Sequence, residues 1–308
     1  MSKVEPQCET KDTAAGFVAL IGAPNAGKST LMNAMVGQKV SIVTPKVQTT
    51  RSRIRGIAMY GDAQIIFVDT PGIFKPRRRL DRAMVSAAWQ GAEDGDILLL
   101  IHDCARSQID DDTNMILQRL IENGQKVSLV LNKIDLAPRE RLLQRAAEMG
   151  NRYAFENIFM VSAETGNGVD DLKSWLASQM PKSPFLFDPE DLSDMPLRLL
   201  AAEILREKLF LNLHQELPYQ LTVETDRWEE RDDGSASVHL SIFVAREGHR
   251  GIILGKGGQT MRRIGSAARR ELEQALNRRI HLFSHVKYRK DWMDDSARYS
   301  VWDLDYNA

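Results

Sequence analysis

Residues Gly22-Ala23-Pro24-Asn25-Ala26-Gly27-Lys28-Ser29 form an unbroken G-x-x-x-x-G-K-S string. It follows the apolar run Phe17-Val18-Ala19-Leu20-Ile21 and leads into a run of helix-forming residues from Lys28. A strand, a glycine loop and a helix in that order bring backbone N–H groups together at a helix N-terminus, where phosphate oxygens bind. The string therefore demands an α/β unit in which this loop lies at the end of a buried strand. Residues 25–30 (Asn25, Ala26, Gly27, Lys28, Ser29, Thr30) are the candidate phosphate cradle. Lys28 has the reach for β- and γ-phosphates, and the Ser29 hydroxyl is a hard ligand for Mg²⁺. ATP and GTP share such a loop, so the base stays open at this point.

Further apolar runs recur at Ile65–Val68, Ile97–Ile101, Val127–Leu131 and Asn157–Val161, with helical stretches such as Asp112–Asn123 and Arg139–Asn151 between them. Alternating strands and helices predict a parallel, doubly wound sheet. The pattern stops near Met180. Residues 181–195, rich in proline and acid, read as a linker, and a different unit starts after Pro196. There the spacing predicts a helix over 197–214, strands over 219–228 and 236–246, a helix over 258–277 and a last strand over 281–290. The chain thus divides into a polar, disordered tail (1–14), a first domain (15–180), the linker and a second domain (196–308).

With 308 residues and a net charge of -1, a nucleic-acid surface must be a local patch. Two cysteines, Cys8 and Cys104, exclude a disulfide scaffold and fit a reducing cytoplasm. The first residues carry no apolar leader, and the longest apolar run, Ile97–Ile101, falls far short of the roughly 20 residues of a membrane helix.

Asn132-Lys133-Ile134-Asp135 follows the strand ending at Leu131, where open α/β sheets bind ligands. A carboxylate there accepts from guanine N1–H and the 2-amino group, donors that adenine lacks. Ser162-Ala163-Glu164 suits a second base loop, with the Ala163 N–H facing guanine O6; a helix cap at Ser162 is an equally good local reading. With Asp69-Thr70-Pro71-Gly72 between them, these strings occur in the order of Ras-like GTPases, which the chain resembles over residues 16–180. The resemblance implies GTP and GDP as ligands. It also implies that Asp69 holds Mg²⁺ through water, that the Gly72 N–H senses the γ-phosphate, and that Ser29 and a threonine of Gln48-Thr49-Thr50-Arg51, Thr50 or its neighbour Thr49, ligate the metal.

Ras-like proteins place a glutamine after the D-x-x-G glycine to orient the attacking water; here that position is Ile73. No catalytic base is assigned, and slow intrinsic turnover is expected. In several GTPases with a hydrophobic residue there, an Asn at the position of Asn25 helps bind K⁺, which supplies positive charge near the β–γ bridge.

In the second domain, Gly255-Lys256-Gly257-Gly258 precedes a helix, and KH domains clamp about four nucleotides with such a loop. A strand-to-helix turn with a glycine cap reads the same way. Residues 246–290 carry twelve Lys/Arg against three Asp/Glu, with Arg262 and Arg263 on the helix after the loop. The order helix–strand–strand–helix–strand resembles a type II KH fold. A Ras-like domain with Q-T-T-R and D-T-P-G followed by such a domain resembles the Era family over residues 16–295.

The resemblance implies an α/β, doubly wound P-loop GTPase domain followed by a smaller α+β type II KH domain, in a monomeric, cytoplasmic protein. It further implies that the chain binds the 3′-terminal region of small-subunit ribosomal RNA and the small ribosomal subunit, and makes peripheral contact with the inner membrane. An interaction protein that docks on membrane or protein, with RNA secondary, is the competing reading. A GTPase partnering a tRNA-modifying enzyme of MnmE type is disfavoured, because Asp305-Tyr306-Asn307-Ala308 lacks the cysteine of that class.

Overall fold

The computed structural model describes residues 12–308, so the expected disordered tail lies outside the described residues except at its end, where Ala14 already opens the first strand. Two compact units result: one of residues up to Ser41 with Arg53–Phe74 and Ala88–Asp194, the other of Ile42–Ser52, Lys75–Ala87 and Met195–Ala308.

The first unit is built on a six-stranded sheet. Its strands are β1 (Ala14–Ile21), β2 (Ile54–Tyr60), β3 (Ala63–Asp69), β4 (Ile97–Asp103), β5 (Ser128–Asn132) and β6 (Ile158–Met160), in the order β2-β3-β1-β4-β5-β6. Helices α1 (Lys28–Val36), α2 (Arg79–Glu93), α3 (Asp111–Asn123), α4 (Arg139–Arg152) and α5 (Val169–Gln179) alternate with them along the chain. β3 and β5 are buried along their whole length, which is why their central residues read as short apolar runs without polar alternation. The strand order reverses at β1, which pairs in parallel with β3 and with β4. A crevice opens beyond the carboxyl ends of the strands at such a point, and the phosphate loop leaves β1 there.

The sheet departs from the all-parallel expectation at one edge. β2 runs antiparallel to β3 through a two-residue turn at Gly61-Asp62, where Gly61 takes φ 58°. A Gly-Asp pair between strand-forming runs is a hairpin signal. The proline-rich stretch 181–194 is fastened to this unit. Ile57 donates its N–H to the Leu192 carbonyl at 2.9 Å. The Gln64 carboxamide accepts from the N–H groups of Leu186 and Phe187 and donates to the Phe187 carbonyl at 2.9 Å. The Ser193 hydroxyl donates to the Arg55 carbonyl at 2.6 Å.

In the second unit, α6 (Leu197–Asn212) leads into a three-stranded sheet of β7 (Leu221–Glu230), β8 (Ala236–Val244) and β9 (Ile280–Tyr288). β7 and β8 are antiparallel, β8 and β9 parallel. The alternation in β8 sends Val238, Leu240, Ile242 and Val244 into the core with Leu205, Leu209, Ile264 and Leu272. Each such side chain contributes about 1.5–3 kcal/mol by burial. Between β8 and α8 (Gln259–Leu276) lies α7 (Glu247–Leu254), a helix absent from the sequence-based order. Its two glycines and the run Ile252-Ile253-Leu254 mimic a strand running into a turn. A last helix, α9 (Ser296–Val301), follows β9. No helix among the described residues is long and apolar enough to cross a membrane.

Candidate nucleotide and RNA sites

The phosphate loop turns through left-handed backbone at Asn25 (φ 63°) and Gly27 (φ 93°). A Cβ on Gly27 would lie 2.2 Å from Asn132 Nδ2, so only glycine fits between the loop and the base-reading strand end. Asn25 holds its turn at a cost of roughly 1–2 kcal/mol, less than a branched side chain would incur. Lys28 is buried, and its ammonium donates to the Gly22 and Ala23 carbonyls at 3.0 and 3.2 Å. Burial pulls its pKa down to about 8, against the opposing attraction of Asp69. The ammonium is thus folded back on its own loop, ready to exchange carbonyl oxygens for phosphate oxygens.

The Ser29 hydroxyl donates to Asp69 Oδ2 at 2.6 Å, and the Ser41 hydroxyl reaches the same oxygen at 3.1 Å. Hydroxyl and carboxylate oxygens converging at the loop's helix end are a hard donor set that fits Mg²⁺. Thr70 is buried and ties its hydroxyl to the Leu20 carbonyl at 2.7 Å, so it braces β1. Gly72 passes so close to the loop that a Cβ would meet Pro24 Cα at 2.9 Å, with Pro71 leading into that approach. Ile73 donates its N–H to the Gly22 carbonyl at 3.1 Å and buries its side chain completely. A wholly buried Ile73 offers nothing to an attacking water.

The base-reading residues lie together. Asn132 donates to the Ala26 carbonyl at 2.9 Å and accepts from the Ala163 N–H at 3.1 Å, joining the phosphate and base loops. Lys133 stands in left-handed backbone and donates to the Asn25 carbonyl at 2.8 Å. Asp135 is exposed, and its Oδ1 accepts from the Ser162 hydroxyl at 2.5 Å. Ser162 also accepts from the Thr165 N–H at 3.1 Å, but within a turn: the next helix, α5, begins at Val169 behind Gly168, so the expected helix cap at Ser162 is not formed.

Thr50 is buried within the segment Ile42–Ser52, which packs with the C-terminal unit. Its neighbour Arg51 is wholly buried, donates to the Leu221 carbonyl at 2.9 Å, and stands 5.8 Å from the Phe210 ring and 5.6 Å from the Trp292 ring. Burial and the nearby Arg206 push its guanidinium down to about 9, against Glu203 and Asp81. Arg206 pairs with Glu203 and donates to the Thr49 carbonyl. The Val43 N–H donates to Glu207 at 2.9 Å. In the sequence Arg51 stands in a switch string, and no role is assigned to Glu203, Arg206 or Glu207, although their stretch carries part of the family resemblance.

The second candidate loop spans the end of α7 and the start of α8. Gly255, Gly257 and Gly258 all take positive φ, and a Cβ on Gly255 would strike the Thr260 hydroxyl at 2.2 Å. Lys256, Arg262 and Arg263 are exposed, with Arg263 touching Asn212 at 3.1 Å. Arg269, seven residues after Arg262 on the same helix, pairs with Glu273 at 3.0 Å. Ile252, 61% exposed beside the loop, adds an apolar surface that the sequence reading did not single out.

Residues 17–133 match the family model described as a 50S ribosome-binding GTPase, and residues 216–293 match the KH domain model. GTPase Era of Dinoroseobacter shibae is 54% identical over 297 residues, covering 96% of both chains. GTPase Era of Rhizobium meliloti is 54% identical over 303 residues with the same coverage. The fold superposes on a variant of Aquifex aeolicus Era bound to GDP·AlF4⁻ with a TM-score of 0.88 at 36% identity, covering 94% of this chain and 99% of that one. A crystal structure of Era with MgGDPNP and nucleotides 1506–1542 of 16S ribosomal RNA gives a TM-score of 0.89 at 36% identity, covering 94% of this chain and 98% of the other. Two domain models in the observed order, relatives matched over nearly their full length and full-length structural neighbours place this chain in the Era family of GTPases.

Proposed function

We propose that the chain is a GTP-driven switch that binds the single-stranded 3′-terminal region of small-subunit ribosomal RNA through the loop Gly255–Gly258 and assists assembly of the small ribosomal subunit in the cytoplasm. The observation that carries the coupling is the seating of segment 42–52. It contains Thr50, the candidate γ-phosphate and metal sensor, and it is bound by Glu207, Arg206 and the Leu221 carbonyl of the C-terminal unit. A ligand that repositions Thr50 must act on that packing, and a two-state element biased from both sides is what allosteric coupling needs. The Era neighbour solved with MgGDPNP and 16S nucleotides supports the choice of RNA.

Ser29, Thr50 and, through water, Asp69 would hold Mg²⁺, which neutralises charge on the β- and γ-phosphates. Lys28 and the N–H groups of residues 25–30 orient the phosphates, and Asn132, Lys133, Asp135, Ser162 and Ala163 hold the base. Asn25 is the candidate K⁺ ligand. GTP turnover in KCl should exceed that in NaCl by about ten-fold or more if the cation takes the place of an arginine finger, and equal rates would remove K⁺ from the scheme.

The coupling is tested by the affinity for a short RNA matching the small-subunit 3′ end. Tighter binding with a non-hydrolysable GTP analogue than with GDP is the expected result, and equal affinity in both states overturns it. The paired substitutions Gly255→Asp and Gly258→Asp should abolish RNA binding, because they add negative charge and side chains to a left-handed backbone meant for phosphate. Retained RNA binding would leave the loop without its role and favour docking on membrane or protein.

A further inference from the structure

Two adjacent carbonyls of the phosphate loop are gripped by cations. Arg106 Nη2 donates to the Pro24 carbonyl at 2.9 Å, and Lys133 Nζ donates to the Asn25 carbonyl at 2.8 Å. The left-handed turn at Asn25 lies between these two peptide groups. Both cations converge on one carboxylate: Asp103 Oδ2 stands 2.6 Å from Lys133 Nζ and 3.9 Å from Arg106 Nε. Lys133 belongs to the base-reading string, but Asp103 and Arg106 belong to no nucleotide motif.

The loop carrying Arg106 is itself fixed. Arg106 Nη1 pairs with Asp110 at 2.6 Å, and Asp110 caps α3 by accepting from the Thr113 N–H at 2.9 Å. Arg145, from α4, donates to the Arg106 and Ser107 carbonyls at 3.2 and 3.0 Å. The Ala105 N–H closes on Asp103 Oδ1 at 2.9 Å. Three secondary-structure elements therefore bear on two carbonyl oxygens.

In a phosphate-binding turn the N–H groups face the ligand and the carbonyls face away. A donor on the Pro24 carbonyl thus stands behind the loop and does not compete with phosphate. We infer that Arg106 and Asp103 are positioning residues for GTP hydrolysis, which hold the Asn25 turn so that its N–H and side chain face the β–γ bridge before nucleotide arrives. Groups fixed in advance where charge develops favour the transition state over the bound ground state, and small displacements of such groups are costly in rate. The inference concerns turnover at the phosphate loop and is independent of the RNA partner.

The test is steady-state GTP hydrolysis by the full chain carrying Arg106→Ala, with GDP affinity and melting temperature measured alongside. The expected result is a kcat lower by about ten-fold, with KM for GTP and Kd for GDP within about three-fold of the parent. Arg106→Lys, which retains a cation able to reach the Pro24 carbonyl, should recover part of the lost kcat. An unchanged kcat overturns the inference. So does a kcat loss matched by equal losses of GTP and GDP affinity and a lowered melting temperature, since that pattern marks a merely structural brace. Should Arg106→Ala fail to fold, Arg106→Met keeps the bulk of the side chain and removes the donor to the Pro24 carbonyl; lowered kcat there supports the inference and parental kcat overturns it.

Discussion

Asp135→Asn should lower GTP affinity by about 10³-fold or more and raise affinity for xanthosine triphosphate, as read by calorimetry with both nucleotides. The Ser162 hydroxyl already donates to Asp135 Oδ1, so an asparagine keeps that contact through its own oxygen. Its amide nitrogen then points where the base lies. Guanine presents two donors there, and a donor facing a donor loses both hydrogen bonds and leaves polar groups unpaired. Xanthine carries a carbonyl at the same ring position and accepts from the new amide. A variant that still prefers GTP would move base selection away from Asp135.

Lys28→Ala should weaken GTP binding by about 10²–10³-fold, since it removes charge-assisted hydrogen bonds to two phosphates. Thermal stability without nucleotide should fall far less, because the substitution also removes a buried charge that is hydrogen-bonded to loop carbonyls. The parent protein carries a pH signature of the same residue. Its pKa in the nucleotide-free protein is lowered to about 8, and phosphate favours the charged form. Affinity for GTP is therefore full below pH 8 and declines above it, by up to about ten-fold per pH unit, with a proton taken up on binding. Titrations at pH 7.5 and 9 in two buffers of different ionisation enthalpy measure both effects, and their absence in Lys28→Ala assigns them.

The nucleotide loops were legible because their chemistry is written in contiguous strings. The glycines, Lys28 and Asp135 are dictated by backbone shape and hydrogen-bond pattern within a few residues, and the structure brings these strings to one end of the sheet. Ile73 was legible as a departure, and its burial explains that departure. Contacts between residues far apart in sequence left no local signal. Arg51 reads as a polar switch residue until the Phe210 and Trp292 rings are seen 5.8 and 5.6 Å from its guanidinium. Arg106 reads as a loop residue until the Pro24 carbonyl is seen beneath it. α7 was lost because its apolar end, Ile252-Ile253-Leu254, carries the β-branched residues of a strand and its glycines read as turn. β2 carried a usable signal at Gly61-Asp62 that the apolar-run criterion passed over.

The stretch 181–194 bears on what becomes of the nucleotide-binding portion when it is cut out alone. β2 is an edge strand, and an uncovered edge offers its backbone to any passing extended chain. Leu192 and Ser193 occupy that edge through the Ile57 N–H and the Arg55 carbonyl, while Gln64 secures Leu186 and Phe187 behind them. A fragment cut at Met180 to isolate the nucleotide-binding portion would keep every motif residue of the phosphate and base loops. It would also bare the β2 backbone, and the expected outcome is a fragment that oligomerises strand to strand at high concentration. Extending it to Asp194 restores the cover and, with it, the conditions for a soluble monomer.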